Sequence, residues 1–210
     1  MNVKILYINI NQSFSVFEKL LPMVSTKRQN NILKLRFEKE KITSLLTELL
    51  IRHEVSRQLH IPCSEVCIGY GDYGKPFLIN DSNYFFSVSH SGNCIAFISS
   101  NCPIGIDLEQ IQKCNMLVAK HCFTSQEYKF VEESIDANEA FYKIWTAKEA
   151  YVKMLGVGLS KCFKSFDILD KNLNCFFSTL CLPEYVLSVC SKKKTRDNIT
   201  IEEIYEDSLM

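Results

Sequence analysis

The sequence predicts an α+β fold, because helical and strand patterns both occur and mix without a regular alternation. The strand pattern, with apolar residues at every second position, is clearest over 84–90 and 104–109. The helical pattern is clearest over 29–60 and 138–155, where apolar residues recur at helical spacing. A chain of 210 residues is long enough for one large domain or two small ones with a buried core.

In the first half of the chain, the earliest predicted element is a strand over 3–10. The helix over 29–60 has an apolar stripe of leucines and is closed by Pro62; the leucines are Leu45, Leu46, Leu49 and Leu50. The glycine-rich segment 69–76 predicts a turn-rich loop. A strand over 94–99 follows the strand over 84–90 after a Ser-Gly-Asn turn, which predicts a hairpin.

In the second half, the strand over 104–109 precedes helical patterns at 115–134 and 138–155. Gly156 is expected to end the latter helix as its C-cap. The last sixty residues predict three strands and a short acidic tail; the strands are 165–170, 174–180 and 184–190. The basic run 192–196 is interpreted as a solvated loop.

Composition excludes several classes of function. The 24 basic and 24 acidic residues give a net charge of zero, so no overall field would attract nucleic acid or a membrane. The ten cysteines contain no C-x-x-C pair and the four histidines are scattered, which argues against a zinc site. The first residues turn polar too soon for a signal peptide, and no run approaches the ~18 apolar residues of a membrane span. We expect a cytoplasmic protein with reduced thiols.

The strand over 104–109 places two carboxylates on one face. Asp107 and Glu109 are two residues apart, which is roughly 7 Å along a strand. Because like charges this close repel, the pair indicates a shared cation, and Mg²⁺ fits oxygen ligands best. A solvated strand face is the alternative interpretation. Gly105 on the same face would leave room for a ligand to approach the backbone closely.

The helix that includes 145–153 carries a third carboxylate beside cations. Glu149 precedes Lys153 by four residues, which is the favoured arrangement of a surface ion pair, so a simple salt bridge is the alternative. Trp145 is also four residues from Glu149, so the polar pair lies beside the largest apolar anchor of the helix. This position favours a partly buried, functional pair.

Two further segments contain candidate phosphate contacts. Ser89 and His90 are adjacent in a strand and so point to opposite faces, which rules out a hydrolase in which the histidine activates this serine. His90 is either a buried structural residue or a ligand contact. Lys75, held between a glycine and a proline, is either part of a plain turn or a point charge for a phosphate.

Taken together and in this order, four motifs resemble one family. They are G-K-P, F-S-V-S-H-S, I-G-I-D-L-E and W-T-A-K-E-A-Y-V-K, within a region from 27–28 to about residue 159. The chain resembles the 4′-phosphopantetheinyl transferases of the long, Sfp-like type. The resemblance implies two similar α/β halves, 1–103 and 104–210, related by a pseudo-two-fold axis. The active site would lie in the cleft between them.

The resemblance also implies a role for each candidate residue. Asp107, Glu109 and Glu149 would hold Mg²⁺ against the pyrophosphate of coenzyme A. The expected contacts to the coenzyme and its phosphates are Lys27, Lys75, Ser89, His90, Lys148 and Lys153. Lys153 would stabilise charge during transfer, and Glu149 or a metal-held water would accept a proton.

The sequence departs from the family pattern at two positions where further basic residues are expected. These positions hold Asn30 and Thr43, which leaves the contacts to the 3′-phosphate of the coenzyme unassigned. Lys39 or Lys41 is the expected replacement.

The activity implied is transfer of the phosphopantetheine arm of coenzyme A to a serine of an apo acyl or peptidyl carrier protein, with release of 3′,5′-ADP. The expected protein is a monomer that serves fatty acid, polyketide or nonribosomal peptide synthesis, without nucleic acid or membrane partners. The alternatives are a Mg²⁺-dependent phosphatase or nuclease, a non-catalytic coenzyme A-binding module, and a family member that binds but does not transfer. Neutral net charge argues against the nuclease.

Overall fold

The computed structural model describes residues 1–194 and 199–209. The elements of the first half are β1 (Asn2–Tyr7), α1 (Ile10–Leu20), α2 (Thr26–Leu33), α3 (Glu38–Leu59), β2 (Ile68–Tyr70), β3 (Pro76–Leu78), β4 (Phe85–Ser91) and β5 (Cys94–Ser100). Those of the second half are β6 (Ile104–Gln110), α4 (Met116–Cys122), α5 (Ser125–Glu132), α6 (Ala137–Leu155), β7 (Phe176–Cys181), β8 (Tyr185–Ser191) and β9 (Thr200–Ile204). The mixture of helices and strands agrees with the predicted class.

The described strands form two larger sheets and one small hairpin. The first sheet has the order β4-β5-β1-β9, the second has the order β6-β8-β7, and β2 pairs with β3. The two larger sheets share an order of elements along the chain: β1, α3, β4 and β5 in the first half, and β6, α6, β7 and β8 in the second. In each set the last strand, β5 or β8, pairs antiparallel with the other two strands of the set. This repeated topology is compatible with two similar halves, whereas their pseudo-two-fold axis stays a prediction.

The last strand connects the two ends of the chain. β9 pairs in parallel with β1, so a segment of the second half completes the sheet of the first. Glu206, just beyond β9, is buried and accepts hydrogen bonds from the backbone N–H of Asn9 and the hydroxyl of Ser13. The division of the chain near residue 103 stays a prediction, and this returning segment would cross it.

Serine side chains join the two sheets where β4 runs beside β6. The hydroxyl of Ser87 accepts a hydrogen bond from the backbone N–H of Ile106 at 3.0 Å, and that of Ser91 accepts one from Gln110 at 3.1 Å. These bonds satisfy backbone donors of β6 that have no strand partner on this side. They also place Ser89, which lies between them on β4, directly against the carboxylate face of β6.

Apolar residues fill the interior as the sequence patterns predict. The leucine stripe of α3 is buried against the first sheet, and its members are Leu45, Leu46, Leu49 and Leu50. Ile104, Ile106 and Leu108, the apolar face of β6, are fully buried among residues of both sheets. The opposite face of β6 therefore remains for its carboxylates.

Several element boundaries differ from the sequence predictions. The predicted helix 29–60 is two helices, α2 and α3. Residues 34–37, which separate them, contain no glycine or proline, so the usual signal of a break is missing from the sequence. The predicted helix 115–134 is also two, since Thr124 and Glu127 form a reciprocal capping box that starts α5.

Other differences lie near the ends of the chain. Helix α1 was not predicted; only its first residue, Ile10, falls in the predicted strand 3–10, which ends at Tyr7 in the structure. The predicted strand 165–170 is a short 3₁₀ turn followed by loop, and the acidic tail forms β9. Gly156 is confirmed as the C-cap of α6, with a φ of 73°. Residues 195–196 of the basic run lie outside the described residues.

Gly105 has a packing role, which corrects its predicted role as an opening for a ligand. A Cβ atom at this position would lie 2.0 Å from the backbone oxygen of Ala150 and 2.4 Å from the backbone nitrogen of Met154. Both atoms belong to α6, so the missing side chain lets the helix lie directly on β6. This contact fixes the distance between Glu149 on α6 and the carboxylates of β6.

Gly105→Ala should therefore lower the free energy of unfolding by about 1–3 kcal/mol, because the backbone of α6 must move. Urea denaturation measures this loss. Gly71→Ala is the matched control, since its added Cβ would meet the nearest atom at 3.7 Å, an ordinary contact. A midpoint for Gly105→Ala equal to that of Gly71→Ala would disprove the packing role.

Candidate active site

A cleft of about 510 Å³ opens where β4, β6, α6 and the β2–β3 turn meet. Seven of the nine candidate residues line it: Lys75, Ser89, His90, Asp107, Glu109, Glu149 and Lys153. They come from four elements separated by up to 78 residues in the chain, from Lys75 to Lys153. The fold thus brings together the motifs that the sequence analysis singled out.

Asp107 is the most buried carboxylate of the cleft. Its Oδ1 accepts hydrogen bonds from the hydroxyl of Ser89 at 2.8 Å and from the ammonium of Lys153 at 2.7 Å. The same ammonium lies 2.9 Å from the Ser89 oxygen, so the three groups form a closed triangle. The Oδ2 atom is buried and has no hydrogen-bond partner among the described residues. A buried, unpartnered carboxylate oxygen is costly and is suited to receive a cation.

Glu109 and Glu149 complete the acidic wall. Glu109 accepts a hydrogen bond from the hydroxyl of Ser91 at 2.6 Å, while burial raises its pKa. Burial raises the pKa of Glu149 to about 7, and the negative charge of Asp107 adds to this effect, whereas Lys153 opposes it. A carboxyl group in this range can accept or release a proton near neutral pH.

The donor set fits a hard divalent cation in its chemistry. Three carboxylates share the cleft, and one carboxylate oxygen has no hydrogen-bond partner among the described residues; Mg²⁺ prefers such oxygen ligands. Within residues 1–194 and 199–209, however, no three such side chains already surround a common metal position. The ammonium of Lys153 engages Asp107 instead. A cation would therefore need small side-chain movements to collect its ligands.

Lys75 and His90 also line the cleft. The ammonium of Lys75 donates to the backbone oxygen of Ile104 at 3.1 Å, and burial, together with the charge of Lys153, lowers its pKa to about 8. His90 is exposed to the cleft and is not a core residue. Burial by the cleft walls and the charge of Lys153 lower the pKa of its imidazole.

Lys148 does not face the cleft, and its predicted contact with coenzyme phosphates is wrong. Its side chain is fully buried, and its ammonium lies 2.8 Å from Glu127 of α5. It also donates to the backbone oxygens of Phe163 and Phe166, each at 2.7 Å. With three partners inside the protein, this ammonium has no donor to offer a ligand.

Lys27 is exposed and does not line the cleft, whereas its neighbour Arg28 does. The Nη2 atom of Arg28 donates to the backbone oxygen and the hydroxyl of Ser44, at 3.2 and 2.9 Å. The sequence shows the Lys-Arg pair but gives no signal for which side chain turns inward. Tyr70 and Tyr73, which also line the cleft, were likewise missed.

A second cavity of about 790 Å³ continues from the cleft and shares Arg28, Thr47 and His90 with it. Lys39 and Thr43 line this cavity, whereas Asn30 is exposed and does not. Lys41 is paired with Glu38 at 2.6 Å and does not line it. Of the two expected replacement lysines, the geometry thus favours Lys39.

Two protein-family models match the chain, one in each half. The model described as "4′-phosphopantetheinyl transferase, N-terminal" matches residues 11–102, and the one described as "4′-phosphopantetheinyl transferase superfamily" matches residues 103–202. The two matches meet where the sequence analysis divides the chain.

Among curated proteins, the 4′-phosphopantetheinyl transferase gsp of Aneurinibacillus migulanus is 35% identical over 159 residues, covering 75% of this chain and 66% of that protein. The transferase psf-1 of Bacillus pumilus is 29% identical, and the alignment covers 84% of this chain and 82% of that protein. The transferase Sfp of Bacillus subtilis (strain 168) is 26% identical, and the alignment covers 83% of this chain and 84% of that protein.

A solved structure, the Thermotoga maritima holo-[acyl-carrier-protein] synthase, aligns with a TM-score of 0.38 and 19% identity. The alignment covers 44% of this chain and 64% of that one. No described helix combines the length and apolar character that crossing a membrane requires.

Proposed function

The chain belongs to the 4′-phosphopantetheinyl transferase superfamily, and on this premise we propose that its cleft transfers the 4′-phosphopantetheine arm of coenzyme A to a serine of an apo acyl or peptidyl carrier protein. The observation that carries the proposal is the convergence of three carboxylates and the cations Lys75 and Lys153 in one cleft. Both kinds of group are needed to bind and activate a pyrophosphate.

In the proposed reaction the serine oxygen of the carrier protein attacks the β-phosphorus of coenzyme A. The bond from this phosphorus to the oxygen that bridges the two phosphates breaks, and 3′,5′-ADP leaves with the electron pair. Such transfers depend on positioning and charge neutralisation more than on covalent catalysis by the enzyme. This agrees with the positions of Ser89 and His90, which lie on opposite faces of β4 and so do not form a serine nucleophile with its base.

Asp107, Glu109 and Glu149 would hold a Mg²⁺ ion. When bound, such an ion neutralises and orients the pyrophosphate. The orphaned Oδ2 of Asp107 and the all-carboxylate donor set support this assignment. Lys153, released from Asp107, would lie within the cleft to offset charge on the departing nucleotide.

Glu149 is the proposed proton acceptor. It lines the same cleft as Asp107 and Glu109, and as a carboxylate it can take the proton of the attacking hydroxyl; a water held by the ion is the alternative acceptor. The contacts proposed for the coenzyme phosphates are Arg28, Lys75 and His90, which line the same cleft as the carboxylates.

A cytoplasmic location is proposed in addition, and the ten free thiols of the chain support it. The monomeric state stays a prediction.

Intact-mass measurement of an apo carrier protein tests the proposed function. After incubation with this chain, coenzyme A and Mg²⁺, the carrier should gain the mass of one phosphopantetheine arm, and its serine-to-alanine variant should not. Release of inorganic phosphate without carrier modification would instead indicate a phosphatase. Coenzyme binding without any mass gain would indicate a binding module.

The affinity for coenzyme A should fall as the pH rises above about 8, because Lys75 loses its proton there. The limit for one proton is about tenfold per pH unit. Isothermal titration from roughly one pH unit below this pKa to about one and a half units above it measures the effect. Lys75→Arg should bind with a flatter pH profile, because arginine stays charged. Identical profiles for the two proteins would contradict the assignment of Lys75.

The same pKa predicts the pH dependence of stability. Because folding lowers the pKa of Lys75 from 10.5 to about 8, the unfolded chain binds more protons between these values. The contribution of Lys75 to stability is therefore unfavourable below about pH 8 and is relieved as the pH rises towards 10.5.

A further inference from the structure

A buried carboxylate lies just behind the cleft wall and takes no part in the reaction proposed above. Glu48 of α3 is 3% exposed and lines neither of the two connected cavities. A carboxylate without access to water is retained at a cost unless its oxygens are paired. Its partners therefore show what this residue does.

Glu48 contacts three side chains from three different elements. Its Oε1 accepts a hydrogen bond from the Nε of Arg52 at 3.1 Å. Its Oε2 accepts one from the hydroxyl of Tyr70 at 2.9 Å and lies 3.5 Å from the Nε of Arg28. Arg28 and Tyr70 both line the cleft, so two of the three partners are cleft residues.

The two arginines are held differently. Arg52 donates through Nη1 to the backbone oxygens of Cys63 and Val66, at 3.2 and 2.9 Å, which anchors the segment before β2. Arg28 has its Nη2 on Ser44, while its guanidinium faces both cavities. One carboxylate between two guanidinium groups leaves a net positive charge, so Arg28 can still attract an anion.

The bond to Tyr70 also acts on Arg28. With its hydroxyl fixed by Glu48, the ring of Tyr70 lies with its centroid 5.8 Å from the Arg28 guanidinium carbon. The guanidinium thus donates hydrogen bonds to Ser44, forms an ion pair with Glu48 and lies over the ring of Tyr70. Its buried Nε has no hydrogen-bond partner among the described residues, so the restraint from Glu48 is electrostatic. An arginine restrained in this way loses little side-chain entropy when it binds a phosphate.

We propose that Glu48 is a positioning residue that holds Arg28, with the help of Tyr70, at the junction of the two cavities to receive a phosphate group of coenzyme A. This inference rests on the proposed function, since it assigns the ligand of Arg28. It predicts that Glu48 acts on coenzyme binding through Arg28 and does not act on the chemical step.

Glu48→Gln tests the inference, with Glu54→Gln as a matched control. Glu54 is also a buried carboxylate of α3, but it pairs with Arg57 and Gln58 and lines neither cavity. We expect Glu48→Gln to raise the dissociation constant and the KM for coenzyme A by at least about fivefold while kcat changes less than about twofold. Glu48→Asp should recover part of the affinity, and Glu54→Gln should bind like the wild type.

A double-variant cycle separates positioning from a general structural effect. If Glu48 acts through Arg28, Glu48→Gln should weaken binding little further once Arg28→Ala is present. The inference is overturned if the two losses add, if Glu48→Gln binds coenzyme A like the wild type, or if Glu54→Gln loses as much. Should Glu48→Gln fail to fold, Tyr70→Phe carries the test, since it removes one restraint on Arg28 and leaves Glu48 paired.

Failure of this inference is distinguishable from failure of the proposed function. The wild-type protein is titrated with coenzyme A and assayed for carrier modification in the same series. A wild type that binds and transfers, beside an unaffected Glu48→Gln, overturns only the role of Glu48. A wild type that does neither overturns the proposed function and this inference with it.

Discussion

Asp107→Asn should reduce transfer by at least ~100-fold while the protein keeps its fold. The substitution preserves the shape of the side chain, but it removes the charge that pairs with Lys153 and that would bind the divalent ion. Because Asp107 carries an unpartnered oxygen in the interior, its contribution to packing is small compared with its electrostatic role.

Rates of carrier modification and thermal unfolding, measured side by side, check this expectation. Glu139→Gln is a suitable control, because Glu139 lies on α6 but pairs at the surface with Lys143. Its rate should stay within about twofold of the wild type, as surface pairs contribute little. An Asp107→Asn protein that transfers at the wild-type rate would remove the basis for a metal site in this cleft.

Lys148→Met should lower the free energy of unfolding by about 3–5 kcal/mol, the range for removing one partner of a buried ion pair. The variant leaves the carboxylate of Glu127 and the backbone oxygens of Phe163 and Phe166 without their shared donor. It is therefore expected to affect stability first, and transfer only through the position of α6.

Urea denaturation distinguishes Lys148 from its neighbour on the same helix. Lys143→Met removes an ammonium whose ion pair is about one-third exposed, so its unfolding free energy should change by no more than about 0.5 kcal/mol. Equal midpoints for the two variants would be incompatible with the buried pair. A Lys148→Met protein of full stability that had lost coenzyme affinity would restore the role first predicted from the sequence.

Much of the cleft could be predicted because strand alternation shows which residues share a face. The period of two over β6 correctly places Ile104, Ile106 and Leu108 on the face that packs in the core, and Asp107 and Glu109 on the face that lines the cleft. The same reasoning placed Ser89 and His90 on opposite faces of β4, where the structure has a buried serine and an exposed histidine. Local patterns sufficed for these residues.

Errors arose where the outcome depends on residues distant in the chain. Lys148 is adjacent to Glu149, yet it turns inward to Glu127, which is 21 positions earlier and gives no pairing signal in a single sequence. The choice between Lys27 and Arg28 depends on where α3 crosses α2. Gly105 was interpreted as an opening because the approach of α6 to β6 cannot be seen in the strand's own sequence.

Electron paramagnetic resonance of Mn²⁺, used as a probe for the Mg²⁺ site, tests the central claim most directly. With coenzyme A present, the wild-type protein should bind one ion per chain, and Asp107→Asn should lose that binding. Glu139→Gln should bind the ion as the wild type does. Mn²⁺ binding that is equally strong in the wild type and in Asp107→Asn, or absent from both, would show that the three carboxylates do not form a cation site.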